Sequence, residues 1–292
     1  MRDQLKAILD ARTRRPHAIA EAAAARRRRP SLLGDDGRLF IIAADHPARG
    51  ALRAGDRPMA LADRTQLLER LSLALRRPGV DGVLGTADVI EDLLLLGALD
   101  DKVVVGSMNR GGLAGTAFEI DDRFTGYDAA TLARMGFDAG KMLFRIDPED
   151  PATAATMQAC ARAVSELAGH GLMAMIEPFI SHRVDGRVRN DLSPEAVIRS
   201  ITVSAGLGTT SAYTWLKLPV VEDMERVLAA STLPALLLGG EVSADQEAVF
   251  TQWRKALRIP SVRGLVVGRT LLFPPDDDVA GAVDAAVGLL RG

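Results

Sequence analysis

Lysine is the residue type whose placement in this chain first suggests chemistry. Five lysines stand against 31 arginines. Arginine keeps its proton and cannot serve as a nucleophilic amine, whereas a buried lysine can lose its proton and attack a carbonyl group. Lys217 lies within the apolar run 214–221. We interpret it in two ways, either as a lysine at a sheet edge whose ammonium group reaches solvent or as an amine that forms a Schiff base.

A second pair of cations, Lys141 and Arg145, stands in another strand-like run. The two residues are four apart, so in a strand their side chains share one face. They could form structural ion pairs with Asp45 or Glu177. Alternatively, one of them favours the neutral form of Lys217 and orients a substrate carboxylate. Asp45 and Glu177 each follow an apolar run, where a carboxylate can relay protons or can simply cap the end of a strand.

Glycines in the last third of the chain are placed to bind an anion. Gly239 and Gly240 follow one apolar run, and Gly268 follows the next, with Arg269 directly after it. Glycine lets backbone amides approach a phosphate closely, and an arginine can add a two-pronged hydrogen bond. We therefore predict a phosphate site formed by these four residues.

The histidines and the single cysteine point away from a metal centre. The four histidines do not have the spacing of metal ligands, and only His46, beside Asp45, is placed for chemistry at the site. We assign it to substrate binding. Cys160 alone excludes an internal disulfide framework and a zinc site with several cysteines, and it fits the reducing cytoplasm. We expect no metal and no cofactor.

The elements that must position these residues alternate along the chain. Apolar runs of strand length are separated by segments of helix length, and there are eight such runs: 39–44, 82–85, 102–106, 141–146, 172–176, 214–218, 235–239 and 264–268. This order predicts right-handed βαβ units and a parallel sheet, and eight units match a single (β/α)8 TIM barrel. A doubly wound open sheet is the alternative, but it usually carries a glycine-rich fingerprint after its first strand, and 43–47 is not one.

Two segment boundaries and two long loops follow from this division. Residues 1–35 are predicted to form an N-terminal helical extension and 36–292 the barrel. The stretches 109–127 and 181–193 follow the third and fifth predicted strands, and we expect both to be irregular loops. In a (β/α)8 barrel the active site lies at the carboxyl ends of the strands. Both loops, and the charged residues above, should therefore lie around that site.

Composition narrows the classes of partner. A net charge of -2 disfavours a nucleic-acid binder, and no apolar run approaches the roughly 20 residues that span a bilayer. We expect a cytoplasmic protein whose ligand is a small phosphorylated molecule.

Taken together, these segments resemble the class I, Schiff-base aldolase superfamily that contains the tagatose-bisphosphate, deoxyribose-phosphate and archaeal-type fructose-bisphosphate aldolases. The resemblance implies that Lys217 is the Schiff-base lysine and Lys141 the second lysine of the site, with Asp45 and Glu177 as its carboxylates. It also implies a homo-oligomer. The matching segments cover nearly the whole barrel but not residues 1–35: they are 42–47, 140–147, 175–178, 215–219, 238–243 and 264–269.

The implied reaction is cleavage of a phosphorylated keto sugar or keto acid. The chain is also similar to barrel proteins found among myo-inositol breakdown enzymes, which implies cleavage of 2-deoxy-5-keto-gluconate 6-phosphate to dihydroxyacetone phosphate and malonate semialdehyde. Two alternatives remain open. One is a lyase or isomerase that acts on a sugar phosphate without a Schiff base, and the other is a barrel that binds a sugar phosphate without turning it over.

Overall fold

The computed structural model describes residues 2–243 and 245–292, and this part of the chain forms a closed parallel barrel. Neighbouring strands follow the order β4-β3-β2-β1-β9-β8-β7-β5, and pairing of β4 with β5 closes the ring. The predicted (β/α)8 TIM barrel is confirmed. The strands are β1 (Leu39–Ala43), β2 (Gly82–Gly85), β3 (Val103–Ser107), β4 (Ala139–Ile146), β5 (Met173–Val184), β6 (Arg187–Asp191), β7 (Thr214–Leu218), β8 (Ala235–Leu238) and β9 (Val262–Val267).

Helices surround the barrel and follow most strands. They are α1 (Arg2–Arg14), α2 (Ala18–Ala25), α3 (Arg64–Leu75), α4 (Ala87–Leu95), α5 (Ala129–Arg134), α6 (Ala152–Gly169), α7 (Pro194–Ala205), α8 (Met224–Leu228), α9 (Gln246–Ala256), α10 (Arg269–Leu272) and α11 (Val279–Arg291), with one 3-10 turn at Pro47–Arg49. Several begin with a side-chain cap. Asp63, Asp128 and Ser193, for example, each accept a backbone N–H of the first helical turn. Among the described residues, no helix is long and apolar enough to cross a membrane.

The prediction of an irregular loop is wrong for one of the two stretches. Residues 181–193 do not form an irregular stretch, because β5 continues to Val184 and pairs antiparallel with β6 from Ile180↔Asp191 to Val184↔Arg187. The hairpin keeps the backbone of β5 in a hydrogen-bonded ladder beyond the barrel. Within the barrel, β4 pairs with β5 as far as Ile146↔Ile180, and Leu143 lies opposite Glu177. Glu177 therefore lies inside a strand, not at the end of one. The other stretch, 109–127, is mostly irregular, with an isolated bridge between Asn109 and Phe124.

The barrel interior and the shell around it form two separate apolar cores. Side chains alternate along each strand, so Leu39, Ile41 and Ala43 belong to the inner cluster while Phe40 and Ile42 belong to the outer one. Most of the buried apolar residues lie in the outer core, between the strands and the helices. The inner cluster is small and ends where the charged residues begin.

The N-terminal segment packs on the outside of the barrel. Helix α2 contacts α4, and Arg12 of α1 bonds Asp92 at 2.8 Å. The buried Arg26 donates to the carbonyls of Lys102 and Gly136, both at 2.7 Å. This segment therefore contacts the elements around β2, β3 and β4. The division into an extension at 1–35 and a barrel at 36–292 stays a prediction.

Candidate active site

The charged residues of the site continue the inward-facing positions of the strands. Each lies two residues beyond an inner apolar side chain, as Glu177 follows Met175 and Lys217 follows Trp215. The same step leads from Ala43 to Asp45 and from Ala139 to Lys141. Because strand side chains alternate with a period of two, these four groups all point into the barrel. Their burial agrees with this, since Asp45 and Lys141 are each only 1% exposed.

Glu177 joins the two lysines. Its Oε1 lies 2.9 Å from Nζ of Lys217, and its Oε2 forms an ion pair with Nζ of Lys141. Nζ of Lys141 also lies 3.2 Å from Oδ2 of Asp45. The sequence thus placed four groups in one cluster, and the structure brings all four together in the order Lys217, Glu177, Lys141, Asp45.

Arg110 and Ser107 extend this row of side chains beyond Asp45, and the sequence analysis did not predict either residue. Arg110 forms an ion pair with Asp45, and its Nε donates to Ser107 Oγ at 2.8 Å. Ser107 Oγ lies 3.2 Å from Oδ2 of Asp45. Ser107 ends β3 in the inward phase of Val105, so strand periodicity could have identified it. Arg110 stands in the loop 109–127, where no periodicity exists.

The electrostatics separate the roles of these groups. Burial alone would raise the pKa of Asp45, but the charges of Arg110 and Lys141 outweigh it and hold that pKa well below its usual range. Burial likewise opposes ionisation of Glu177, and Lys141 and Lys217 nevertheless lower its pKa. Burial, with the nearby Arg110, lowers the pKa of Lys141 to about 8. Both carboxylates are ionised at neutral pH, and the site holds an amine close to its titration point.

A second charged cluster lies at the end of β4 and in the loop 109–127. Arg145 NH1 lies 2.5 Å from Oε1 of Glu119, and its NH2 donates to the Glu119 carbonyl. Oδ2 of Asp122 lies 3.7 Å from Arg145 NH2, and Arg49 lies nearby, 3.6 Å from Glu119. Arg145 faces the cavity as predicted from its phase with Lys141. It pairs with Glu119 and not with the two strand carboxylates considered from the sequence.

The predicted phosphate residues line the same cavity at the ends of β8 and β9. Gly240 has φ +66°, in the left-handed region that favours glycine. A Cβ on Gly268 would lie 2.3 Å from the carbonyl oxygen of Ala43, so only glycine fits there. Arg269 donates to the backbone carbonyl of residue 53 at 3.4 Å, and its buried Nε has no partner among the described residues.

His46 lies beside Asp45 with its ring nitrogen Nδ1 3.8 Å from Oδ1 of that carboxylate. Burial lowers the pKa of His46 to about 3, and the positive charge of Arg269 adds to the effect. The imidazole is therefore neutral at physiological pH. Its buried Nδ1 has no hydrogen-bond partner in the part of the chain that the structure describes.

All ten residues predicted for the site border one cavity of about 630 Å³. The loop 109–127 and the β5–β6 hairpin complete its walls, the hairpin through Val188, Arg189 and Asn190. Among the described residues, seven cationic side chains line the cavity against four anionic ones: Arg49, Arg110, Lys141, Arg145, Arg189, Lys217 and Arg269 against Asp45, Glu119, Glu177 and Glu241. A cavity with this excess of positive charge suits an anionic ligand.

No group of three or more His, Cys, Asp or Glu residues suited to a metal ion occurs among residues 2–243 and 245–292. Cys160 is fully buried in α6, and burial raises the pKa of its thiol. Cys160 is thus a core residue and not a nucleophile.

Comparison with known structures agrees with the barrel. The chain is 19% identical to an archaeal fructose 1,6-bisphosphate aldolase, with a TM-score of 0.65 over 93% of this chain and 98% of that one. A Schiff base forming fructose-1,6-bisphosphate aldolase is 20% identical, with a TM-score of 0.66 over 93% and 99% of the two chains. At this identity the likeness shows the fold. A search of curated proteins gave no match.

A much nearer relative is the crystal structure of Cgl0159 from Corynebacterium glutamicum. It is 56% identical to this chain, with a TM-score of 0.97 over 99% of this chain and 97% of the other. A family model described as Cgl0159-like matches residues 37–287. The chain therefore belongs to the Cgl0159-like family.

Proposed function

We propose that this protein is a class I aldolase that cleaves a phosphorylated keto sugar or keto acid through a Schiff base on Lys217. The observation that carries the proposal is a pair of buried lysines that share one carboxylate, Glu177, inside a cationic cavity. A binding site for an anion needs positive charge, but it does not need a buried amine joined to a proton acceptor. A buried lysine beside a second cation is one of the arrangements that activate an amine for covalent catalysis.

Lys217 is the better nucleophile of the two lysines because it has fewer partners. Among the residues that the structure describes, its Nζ pairs only with Glu177, whereas Nζ of Lys141 lies between Glu177 and Asp45. An amine held by two carboxylates would lose both contacts on attacking a ketone. Lys141 instead supplies positive charge to Glu177 and Asp45, as the resemblance to Schiff-base aldolases also implies.

In the first half of the reaction, the neutral amine of Lys217 attacks the ketone carbon, and the carbonyl oxygen takes a proton from solvent to give a carbinolamine. Glu177, 2.9 Å from Nζ, accepts the proton that the amine loses. It then returns this proton to the departing hydroxyl group, which leaves as water. The product is an iminium ion, whose positive nitrogen can accept the electron pair of the bond to be broken.

In the second half, ionised Glu177 removes the proton from the substrate hydroxyl group, the carbon–carbon bond breaks, and its electron pair moves into the iminium to give an enamine. The aldehyde half leaves. Glu177 returns its proton to the enamine carbon, which regenerates an iminium. Water hydrolyses this iminium, which releases the ketone half and free Lys217 and returns one proton to solvent. Glu177 lies 2.9 Å from Nζ of Lys217, whereas Asp45 pairs with Lys141 and Arg110. We therefore assign proton transfer to Glu177 and the holding of Lys141 to Asp45.

Within this class we propose 2-deoxy-5-keto-gluconate 6-phosphate as the substrate, with dihydroxyacetone phosphate and malonate semialdehyde as products. The support is the resemblance to barrel proteins among myo-inositol breakdown enzymes, together with the cationic lining of the cavity at both the β8–β9 side and the β3–β4 side. His46, Gly239, Gly240, Gly268 and Arg269 would bind the phosphate.

The test is reduction by sodium borohydride in the presence of dihydroxyacetone phosphate, read out as intact protein mass. A Schiff base becomes a permanent secondary amine, so the wild-type protein should gain one ligand mass. Lys217→Met should gain none, and Lys255→Met, which removes an exposed lysine of α9, should behave as wild type. A wild-type protein that binds the ligand without any gain in mass would favour a lyase or isomerase without a Schiff base. Tight binding with no turnover of any aldol would favour the binding barrel.

A further inference from the structure

A buried arginine in the cavity wall has no hydrogen-bond acceptor for its side chain among the described residues. Arg49 ends the 3-10 turn after β1, is 9% exposed and borders the cavity. Its nearest carboxylate oxygens are Oε1 of Glu119 at 3.6 Å and Oδ2 of Asp122 at 3.9 Å, both beyond hydrogen-bond length. A guanidinium this far buried needs acceptors from water or from a ligand in the cavity. Burial also lowers the pKa of Arg49, to about 10.

The residues around Arg49 already form hydrogen bonds with other groups. They therefore fix its position without accepting hydrogen bonds from its guanidinium. Glu119 accepts from Arg145 through Oε1 and from the amide of Gly115 through Oε2, at 2.7 Å. The Arg49 carbonyl accepts the amide of Ala114 at 2.8 Å, which ties the turn after β1 to the loop 109–127. The backbone of Arg49 is thus fixed by a hydrogen bond, and its guanidinium faces the cavity.

The charge balance of this cluster selects the kind of anion. Arg49 and Arg145 contribute two positive charges and Glu119 one negative charge. Asp122 is the second carboxyl group of the cluster, and burial raises its pKa, so burial opposes its negative charge. At most one positive charge is left over. That matches a carboxylate, which is a monoanion with two coplanar oxygens suited to a guanidinium, better than a phosphate dianion.

The position of this cluster in the barrel indicates which end of a bound substrate it would contact. In the ring order of the eight barrel strands, β3 and β4 lie directly across from β8 and β9. The residues predicted to bind phosphate follow β8 and β9, and the Arg49 cluster lies over β3 and β4. Lys217 and Glu177, on β7 and β5, lie between the two sides. A linear substrate with its phosphate on one side therefore presents its other terminus to Arg49.

We propose that Arg49 binds a carboxylate on the aldehyde half of the substrate, so that the enzyme takes a phosphorylated keto acid and not a neutral keto sugar. This inference rests on the proposed aldolase function. It makes Arg49 a substrate-binding residue with no part in proton transfer. Its effect should appear only with acceptors that carry the charge.

The experiment runs the reaction in the direction of synthesis, with dihydroxyacetone phosphate and two acceptors of equal length, malonate semialdehyde and propanal. Arg49→Met should lower kcat/KM for malonate semialdehyde by about 10- to 100-fold, the usual effect of losing a charge-assisted hydrogen bond, and that for propanal by less than about 3-fold. Arg49→Lys should fall between. Arg123→Met is the matched control, because it removes an exposed guanidinium from the same loop.

Three outcomes would overturn the proposal. Equal losses with both acceptors would make Arg49 a structural residue. A wild-type preference for glyceraldehyde 3-phosphate that Arg49→Met abolishes would make this a phosphate site. If the borohydride test fails and no turnover is seen, the aldolase function is wrong, and malonate is then used as a probe of thermal stability. A stabilisation of the wild type that is lost in Arg49→Met would still support a carboxylate site, and no stabilisation of the wild type would refute it.

Discussion

Two charged clusters share the cavity, and they are built in different ways. The strand cluster, Asp45, Lys141, Glu177 and Lys217, consists of side chains on β4, β5 and β7 and just beyond β1, and it is joined by direct ion pairs. The loop cluster, Arg49, Glu119, Asp122 and Arg145, takes three of its members from loops, and several of its contacts exceed hydrogen-bond length. Rigid strands suit groups that must transfer protons within a few tenths of an ångström. Loops suit groups that adapt to a substrate. We therefore expect the strand cluster to govern kcat and the loop cluster to govern KM.

The largest difference in kinetic effect between the strand cluster and the loop cluster should come from Glu177→Gln. Glutamine keeps the shape of the side chain but cannot accept a proton, so kcat should fall by about 10²- to 10⁴-fold, the usual contribution of a general base. Steady-state cleavage assays would measure this fall in kcat. The control is Glu195→Gln, which removes a carboxylate from an exposed ion pair with Arg226. A change in KM alone would assign Glu177 to binding and contradict the division.

The next effect concerns stability and its pH dependence. Asp45→Asn leaves Arg110 and Lys141 buried without their carboxylate, which should cost about 3–5 kcal/mol of unfolding free energy at pH 7. The pKa of Asp45 is depressed in the folded state, so its contribution is complete above the unfolded value of about 4 and is lost as the pH falls through the folded value. The gap between wild type and variant should therefore narrow below about pH 4. Denaturant melts across pH would check it, and a gap independent of pH would contradict the charge argument. Asp284→Asn, in an exposed pair with Arg77, should change stability by less than about 0.5 kcal/mol.

A smaller effect should follow from loosening the loop cluster. Glu119→Gln removes the charge that holds Arg145 and weakens the tie to the Gly115 amide. We expect KM to rise by about 10-fold, the free-energy equivalent of one net hydrogen bond to a charged group, with kcat within about 3-fold of wild type. Asp121→Asn, on the same loop, is the control for a change of charge alone. A loss confined to kcat would place Glu119 with the strand cluster.

The smallest expected effect is a gain in the free energy of unfolding, opposite in sign to the loss expected for Asp45→Asn. Burial raises the pKa of Asp122, so the ionised form weakens the fold and its cost appears as the pH rises through the folded pKa. Asp122→Asn keeps the acceptor for the Gly112 amide and removes the charge. It should raise the unfolding free energy at pH 7 by no more than about 1 kcal/mol. Thermal melts at pH 7 and pH 4 would show whether the gain disappears in acid.

The two clusters also differ in how far the sequence predicts them. Lys141, Arg145 and Lys217 follow from the period of two along their strands, because a residue two places beyond an inner apolar side chain must also point inward. Arg49 and Glu119 stand in segments with no periodicity, and their approach depends on the path of the loop 109–127. Their charge alone does not distinguish them from surface residues.

The boundaries of the elements show the same limit. The runs 82–85 and 214–218 match β2 and β7 residue for residue. Polar Asp81 and Thr86 flank the first run, and Pro219, which lacks the N–H of a sheet ladder, follows the second. The fifth strand was predicted to end at 176, but it runs to Val184 because β6 pairs with it. The partner that extends β5 is polar and exposed, so its composition resembles a loop, and only the antiparallel pairing makes it a strand.

The most direct test of this account is to find which lysine carries the adduct after borohydride reduction with dihydroxyacetone phosphate. Peptide mass mapping of the reduced protein should place it on Lys217, with Lys141 unmodified and the exposed Lys255 as an internal control. An adduct on Lys141 would exchange the roles of the two lysines, in line with the lowered pKa of that amine. No adduct on either lysine, from a protein that binds the ligand, would contradict the Schiff-base mechanism.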